Sequence, residues 1–200
     1  MLFFVFSIII ILFSITVHEY SHGKVAELFG DPTPRASGRL TLNPLSHIDP
    51  VGFLMLVIVR FGWAKPIPIN PNYFKDPEKD MAIVGLAGPA SNFFLAFLVS
   101  LLFKYEPALR LMASGDSGTV LLSLLQFALF INIALGLFNL LPIPPLDGSR
   151  LLRAVLPYEG ARFLDSIEPY GFFILIFILI MPGISDIFIE AVRFISGLML

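Results

Sequence analysis

The chain has 200 residues and a net charge of −2, and 56% of its residues are apolar while only 14% are charged. A soluble domain of this size cannot bury so much apolar surface, so we expect the excess to face lipid. The charge balance excludes the basic face that a nucleic-acid partner requires, and the absence of cysteine excludes disulfides and thiolate metal ligands.

Four apolar stretches predict membrane-spanning helices, because each approaches the ~20 residues that a bilayer core requires. They cover residues of about 2–29, 81–103, 120–141 and 171–199. The first stretch lacks the basic region and the small-residue cleavage site of a signal peptide, so we expect it to be retained. We therefore predict an all-α membrane protein, a polytopic bundle of transmembrane helices that forms one domain over residues 1–200.

Two apolar segments depart from a simple span. Residues 51–61 are too few to cross a bilayer and are predicted to be re-entrant or interfacial. Pro182 and Gly183 predict a break in the fourth span, which leaves residues 184–200 as its second half or as an interfacial helix. This break is a candidate gate.

The positive charges are unevenly distributed among the loops. The positive-inside rule places the loops after the first and third spans in the cytoplasm and the N-terminus outside. The polar ends of the first and third spans then meet at the same, cytoplasmic face. The charges are Lys24, Arg35, Arg39, Arg60, Lys65, Lys75 and Lys79 in the first loop, Lys104 and Arg110 in the second, and Arg150, Arg153 and Arg162 in the third.

The first loop contains two segments that predict extended backbone. In GRLTL (residues 38–42), polar and apolar residues alternate, which predicts a short strand. In AKPIPINP (residues 64–71), proline restricts φ and biases the preceding residue towards extended conformations. Such segments either pair with an unfolded substrate strand or form a merely structured loop.

The strongest chemical signal is His18-Glu19-Tyr20-Ser21-His22, an HExxH pattern. Residues four apart lie on one face of a helix, so His18 and His22 can bind one ion. Glu19 then lies beside the ion, where it can take a proton from the attacking water. Imidazole and carboxylate ligands favour zinc. The alternative is a polar seam between helices, held by hydrogen bonds.

A catalytic zinc site needs a third protein ligand, and the candidates are His47, Asp49, Asp147 and Asp165. Asp147 follows Asn139-Leu-Leu-Pro-Ile-Pro-Pro-Leu, whose prolines cannot continue the third span as a regular helix. Unwound backbone at membrane depth has to line a cavity or pack into protein, which favours Asp147 as the ligand. The alternative is a turn, because Asp147-Gly148 is a common turn pair.

Two amides and one histidine are further candidates. Asn92 lies about halfway along an apolar helix after GLAGPAS, where it either binds a substrate backbone or an oxyanion, or bonds to another helix. Asn132 is interpreted as structural. His47, in NPLSHIDP, is either a surface residue or one that orients substrate or a ligand.

Three motifs in this order resemble the site-2 protease family of intramembrane metalloproteases: HEYSH ending an apolar helix, GPASN in the next, and NLLPIPPLDG closing a third. GRLTLNPLSHIDPVG and GWAKPIPINP are similar to segments of its compact prokaryotic branch, which lacks PDZ-like and regulatory domains. The resemblance covers about residues 17–152.

The resemblance implies that His18, His22 and Asp147 bind one zinc ion per chain and that Glu19 activates water. It also implies that Asn92 and the Asn139–Gly148 stretch shape the active site. It implies an endopeptidase that cuts membrane proteins in or near their transmembrane segments, in regulated intramembrane proteolysis. The expected location is a prokaryotic cell membrane, with the site towards the cytoplasm; the oligomeric state is left open.

Two other functions compete with proteolysis. One is a relative that binds membrane clients without cutting them, against which the intact Glu19 argues. The other is a metal transporter, because histidine and aspartate within a membrane also mark ion pathways. The polar residues cluster in one leaflet and inverted repeats are not evident, which argues against transport.

Overall fold

The computed structural model describes residues 2–59, 62–103, 105 and 116–200, and their regular structure is helical. Short 3₁₀ turns occur at Pro44–His47, Pro71–Tyr73 and Glu168–Tyr170. In chain order, the helices of these residues are α1 (Leu2–Leu28), α2 (Thr33–Ala36), α3 (Pro50–Val59), α4 (Pro77–Phe103), α5 (Asp116–Asn139), α6 (Asp147–Val155), α7 (Tyr158–Ile167), α8 (Gly171–Ile180) and α9 (Ile184–Met199).

Three of the described helices are long and apolar enough to cross a membrane: α1, α4 and the part of α5 from Gly118 to Asn139. They correspond to the first three predicted spans, and the prediction of an all-α membrane bundle is confirmed. The region of the predicted fourth span contains α8 and α9, separated at Met181–Gly183. Gly183 has a φ of 86°, a left-handed conformation that glycine adopts readily. That this region spans the membrane stays a prediction.

Helix α4 is central to the bundle, because it packs against α1, α5 and α6. Glycine permits this close approach: a Cβ atom at Gly85 would lie 3.3 Å from the Asp147 carbonyl oxygen in α6. Further along α4, the buried Ala96 joins Leu129 and Ile133 of α5 and Val192 of α9 in one apolar cluster. The packing of α4 therefore brings α1 and α6 together across its N-terminal half.

The prediction of a short strand over residues 38–42 is wrong. These residues form turns and bends, in which the Thr41 N–H donates to the Arg39 carbonyl at 2.9 Å. Gly38 has a left-handed φ of 68°, and the Arg39 side chain turns inwards to bond the backbone of Lys65. Among the described residues, β-pairing is limited to one isolated antiparallel bridge between Ile48 and Ala64.

That bridge closes a hairpin around α3. The Lys65 N–H donates to the His47 carbonyl at 3.0 Å, so the backbone that follows α3 lies beside the backbone that precedes it. Whether this hairpin is re-entrant or interfacial stays a prediction. Arg60 and Phe61 of the predicted segment, and Lys104 and Arg110 of the second loop, lie outside the described residues.

Candidate metal centre

Three side-chain atoms from distant parts of the chain converge at the C-terminal half of α1. His18 and His22 lie one turn apart on α1, and Asp147 is the first residue of α6. The two Nε2 atoms are 3.0 Å apart, and each is 3.1 Å from Asp147 Oδ2. All three residues are buried. Among the described residues, they form the group of His and acidic side chains that can hold a metal ion.

The glycines of the neighbouring motifs make this convergence possible. A Cβ atom at Gly88 of α4 would collide with the imidazoles of both His18 and His22. A Cβ atom at Gly148 would collide with the carbonyl groups of Leu140 and Leu141, where the chain unwinds after α5. Both positions require glycine because a side chain would push apart the elements that carry the ligands.

The tautomers of both histidines are set by peptide carbonyl groups, which can only accept hydrogen bonds. For His22 the contact is direct: its Nδ1–H donates to the Val84 carbonyl at 2.6 Å. For His18 the connection to a carbonyl group passes through the side-chain amides of Asn92 and Asn132. The Ala128 carbonyl accepts from Asn132 Nδ2 at 2.9 Å, which leaves Asn132 Oδ1 to accept from Asn92 Nδ2 at 3.1 Å.

Asn92 Oδ1 then accepts from the Nδ1–H of His18 at 2.6 Å. Both histidines therefore carry their proton on Nδ1 and present an Nε2 lone pair to the centre. With the Asp147 carboxylate, three acceptors face one another inside buried protein, an arrangement that repels itself without a cation.

The spacing of these acceptors fits zinc. Zinc–nitrogen bonds of about 2.0–2.1 Å in a tetrahedral site separate neighbouring ligands by about 3.3 Å. The observed separations of 3.0 and 3.1 Å are close to that edge length. Three protein ligands also leave the fourth tetrahedral position for water or substrate, as in catalytic zinc sites. The donor set and its spacing therefore fit a catalytic zinc ion.

The amide of Asn92 is fully committed to protein partners. Besides His18 and Asn132, its Nδ2 donates to the Ser14 carbonyl at 3.4 Å, and the side chain is fully buried. The structure therefore places Asn92 behind His18, with its amide bonded to residues of α1 and α5. A role of Asn92 towards a substrate or an oxyanion stays a prediction.

The second oxygen of Asp147 faces outwards from the centre. Its Oδ1 lies 3.6 Å from Arg150 Nη1, one turn further along α6. Oδ2, the oxygen that faces the histidines, is thus the one that remains to bind the ion. The position of Asp147 at the start of α6 also favours a carboxylate, because a helix N-terminus attracts negative charge.

Glu19, the residue after His18 on α1, is held by a loop backbone. Its Oε2 accepts the Ile67 N–H at 2.9 Å, while Oε1 has no hydrogen-bond partner within the described part of the chain. Ile67 belongs to residues 65–70, which we call the active-site strap. The buried Ile67 side chain packs against Gly23, directly after the second histidine.

The strap is fixed at both ends. Nη2 of the buried Arg39 donates to the Lys65 carbonyl at 2.5 Å and to the Pro66 carbonyl at 3.3 Å. At the far end, Asp31 Oδ2 accepts the Asn70 N–H at 2.7 Å, and Asp31 is fully buried. The sequence indicated extended backbone here but not the contact with Glu19, because a backbone N–H leaves no mark in a sequence.

The remaining candidate residues lie away from the three converging atoms. His47 is buried and its Nε2–H donates to the Thr41 carbonyl at 2.8 Å, while Asp49 Oδ1 accepts the Gly52 N–H at 2.8 Å. Asp165 pairs with Arg153 at the surface. Asn139 ends α5 and its Nδ2 donates to the Leu135 carbonyl at 3.0 Å, so its role in shaping the site stays a prediction.

Comparison with known proteins agrees with this geometry. The sequence model of peptidase family M50 matches residues 6–182. The Bacillus subtilis protein "Putative zinc metalloprotease YwhC" is 38% identical over 177 residues, which cover 88% of this chain and 80% of the relative. "Putative zinc metalloprotease Rip2" of Mycolicibacterium smegmatis is 34% identical over 189 residues, covering 90% and 69%. "Zinc metalloprotease MJ0392" of Methanocaldococcus jannaschii is 26% identical over 148 residues, covering 74% and 33%. No solved structure matches the chain.

An apolar helix bundle that brings an HExxH pair and a distant aspartate together defines a membrane metalloprotease. The chain belongs to peptidase family M50, with zinc as its cofactor. The resemblance to site-2 proteases is thereby confirmed.

Proposed function

We propose that this zinc metalloprotease is an intramembrane endopeptidase, which hydrolyses peptide bonds in or near the transmembrane segments of other membrane proteins and serves regulated intramembrane proteolysis. One observation carries the proposal: His18 and His22 lie on the same helix as apolar residues that are exposed to the surroundings of the bundle. Ile9 and Phe13 of α1 are exposed, whereas His18 is buried. Phe13 and His18 are separated by about 7.5 Å along the helix axis, at 1.5 Å per residue. A peptide bond reaching His18 therefore lies at or within the bilayer.

Zinc, when bound, supplies a Lewis acid that polarises the scissile carbonyl group and acidifies water. His18, His22 and Asp147 hold the ion, with His18 and His22 oriented by Asn92 and the Val84 carbonyl. Glu19, held through one oxygen by Ile67, uses its other oxygen to take a proton from the attacking water and pass it to the leaving amine. Hydrolysis needs no other co-reactant.

We assign the active site to the cytoplasmic leaflet of a prokaryotic cell membrane. The positively charged loop that follows α1 supports this orientation, because such loops are retained in the cytoplasm. The bacterial and archaeal relatives support the assignment to a prokaryote. Membrane proteins with a transmembrane segment are then the substrates, and water reaches the site from the cytoplasm.

The proposal is tested by reconstituting the zinc-loaded protein in lipid vesicles with labelled single-span substrates. The wild type should release two fragments from within or beside the span, and Glu19→Gln should retain zinc and release none. A chelator should abolish the wild-type reaction. Equal fragments from both proteins would assign the activity to a contaminant. Cleavage confined to soluble loops far from the span would contradict an intramembrane endopeptidase.

A further inference from the structure

A largely apolar cavity of about 280 Å³ lies beside α1, at the turns of the helix that precede His18. Its walls are the middle of α1, the hairpin around α3, the C-terminal half of α5, and Phe188 of α9. Apolar side chains dominate the lining, among them Ile15, Phe53, Trp63 and Leu135. Nothing in the chemistry at zinc uses this cavity.

The cavity shares two walls with Glu19. On α1, Ile15 and Thr16 line it, and they lie four and three residues before Glu19, so all three occupy one helix face. In the loop, Ala64 lines it, three residues before Ile67, whose N–H holds Glu19. The cavity is therefore the direct continuation of the catalytic site towards the membrane.

Three polar side chains of the wall form hydrogen bonds with the backbone. Thr16 Oγ1 donates to the Leu12 carbonyl at 2.7 Å, and Asp49 accepts from Gly52. His47 donates to Thr41, and its Nδ1 is buried without a partner. None of these groups is exposed as a donor that would recognise a polar ligand. An apolar occupant matches this lining.

We propose that this cavity is the specificity pocket of the protease and binds one large apolar side chain of the substrate. The inference rests on the proposed function. Ile15 precedes Glu19 by about 6 Å along α1, which is the length of about two residues of extended chain. The bound side chain is therefore within two residues of the scissile bond. A volume of about 280 Å³ is at the lower end for ligand sites, so it holds a side chain and not a helix.

An extended substrate segment suits this cavity. A helical segment directs its side chains around a cylinder about 10–12 Å wide, whereas an extended chain places alternate side chains on one side. The narrower extended backbone can therefore pass close to Glu19 while one side chain enters the cavity. An apolar side chain leaving lipid for this pocket keeps its apolar surroundings, so the preference for large residues arises from packing.

The test is a set of substrates in which each position within two residues of the cleaved bond is Ala, Leu or Phe. Wild type should prefer Leu or Phe over Ala by about tenfold or more at one position. Ala134→Leu, which adds volume to the cavity wall, should remove that preference at that position alone. Phe53→Ala, which enlarges the cavity, should shift the preference towards Phe. Ile15→Phe is a second filling variant, should Ala134→Leu fail to fold.

Matched controls carry the same substitutions on the exposed face of α4. Ala90→Leu and Phe94→Ala should leave the wild-type profile unchanged. Cavity variants that cut with the wild-type profile at every position would overturn the proposal. Variants that change only the amount of bound lipid would also overturn it, because the occupant would then be an acyl chain. If wild type cuts no membrane substrate, the proposed function fails first and the pocket with it.

Discussion

Two neighbouring faces of α1 are built by different means. On the face towards α4, the histidines are held by hydrogen bonds to a buried amide and a helix carbonyl. On the neighbouring face, Glu19 is held by one N–H of a loop, close to an apolar cavity. We therefore expect metal binding to depend on the helix bundle and proton transfer to depend on the strap. The two functions should therefore be separable by mutation.

The largest effect is expected from removing a ligand on the bundle side. Asp147→Ala should lose bound zinc and all proteolysis, because two neutral imidazoles leave the ion without its anionic ligand. Asp165→Ala, an exposed aspartate paired with Arg153, is the matched control and should retain one zinc ion per chain. Zinc content is measured by elemental analysis of the purified proteins. Full zinc in Asp147→Ala would remove Asp147 from the site.

A smaller loss of metal affinity is expected when the changed residue holds a ligand but does not itself bind the ion. Asn92→Ala removes the acceptor that orients His18, and loss of such a partner typically lowers metal affinity about 10–100-fold. Asn132→Ala, which removes a partner of Asn92 but no direct bond to His18, should cost less. Competition with a chelator of known affinity measures both. An equal loss in the two variants would indicate damage to helix packing and not a chain of hydrogen bonds.

On the face of α1 that carries Glu19, Ile67→Pro removes the N–H that holds this carboxylate. A hydrogen bond to a charged group contributes about 1.5–3 kcal/mol, so kcat should fall at least about tenfold while zinc binding is retained. Ile67→Ala loses packing against Gly23 but keeps the N–H, and should retain most of the turnover. Steady-state kinetics with a single-span substrate and zinc analysis separate these outcomes. Equal turnover in the two variants would show that the strap does not position Glu19.

The three residues that converge in the candidate metal centre were predictable because each is marked locally. The spacing of His18 and His22 matches one helical turn, and Asp147 follows a proline-rich interruption that has to line a site. The positive-inside argument then brings these motifs to one membrane face. Little more than helix periodicity and loop charge was needed to join residues 125 apart in sequence.

The contacts around these ligands were not predictable to the same degree. An amide in an apolar helix needs partners, but the sequence does not distinguish His18 from a substrate as the partner of Asn92. Five alternating residues indicated a strand at residues 38–42, yet a strand needs a neighbour to pair with, and Arg39 instead turns inwards to the strap. The cavity depends on how α1, α3 and α5 pack, which no single segment encodes.

The alternation of proline in the active-site strap has a consequence for self-association. Pro66 and Pro68 carry no N–H, and the N–H of Ile67 is bonded to Glu19. An extended segment with so few donors cannot act as a template on which further copies of the chain add strand by strand, since each addition needs a regular ladder of donors. The protein therefore keeps an extended, apolar stretch beside Glu19 without the usual risk that extended apolar segments nucleate aggregates.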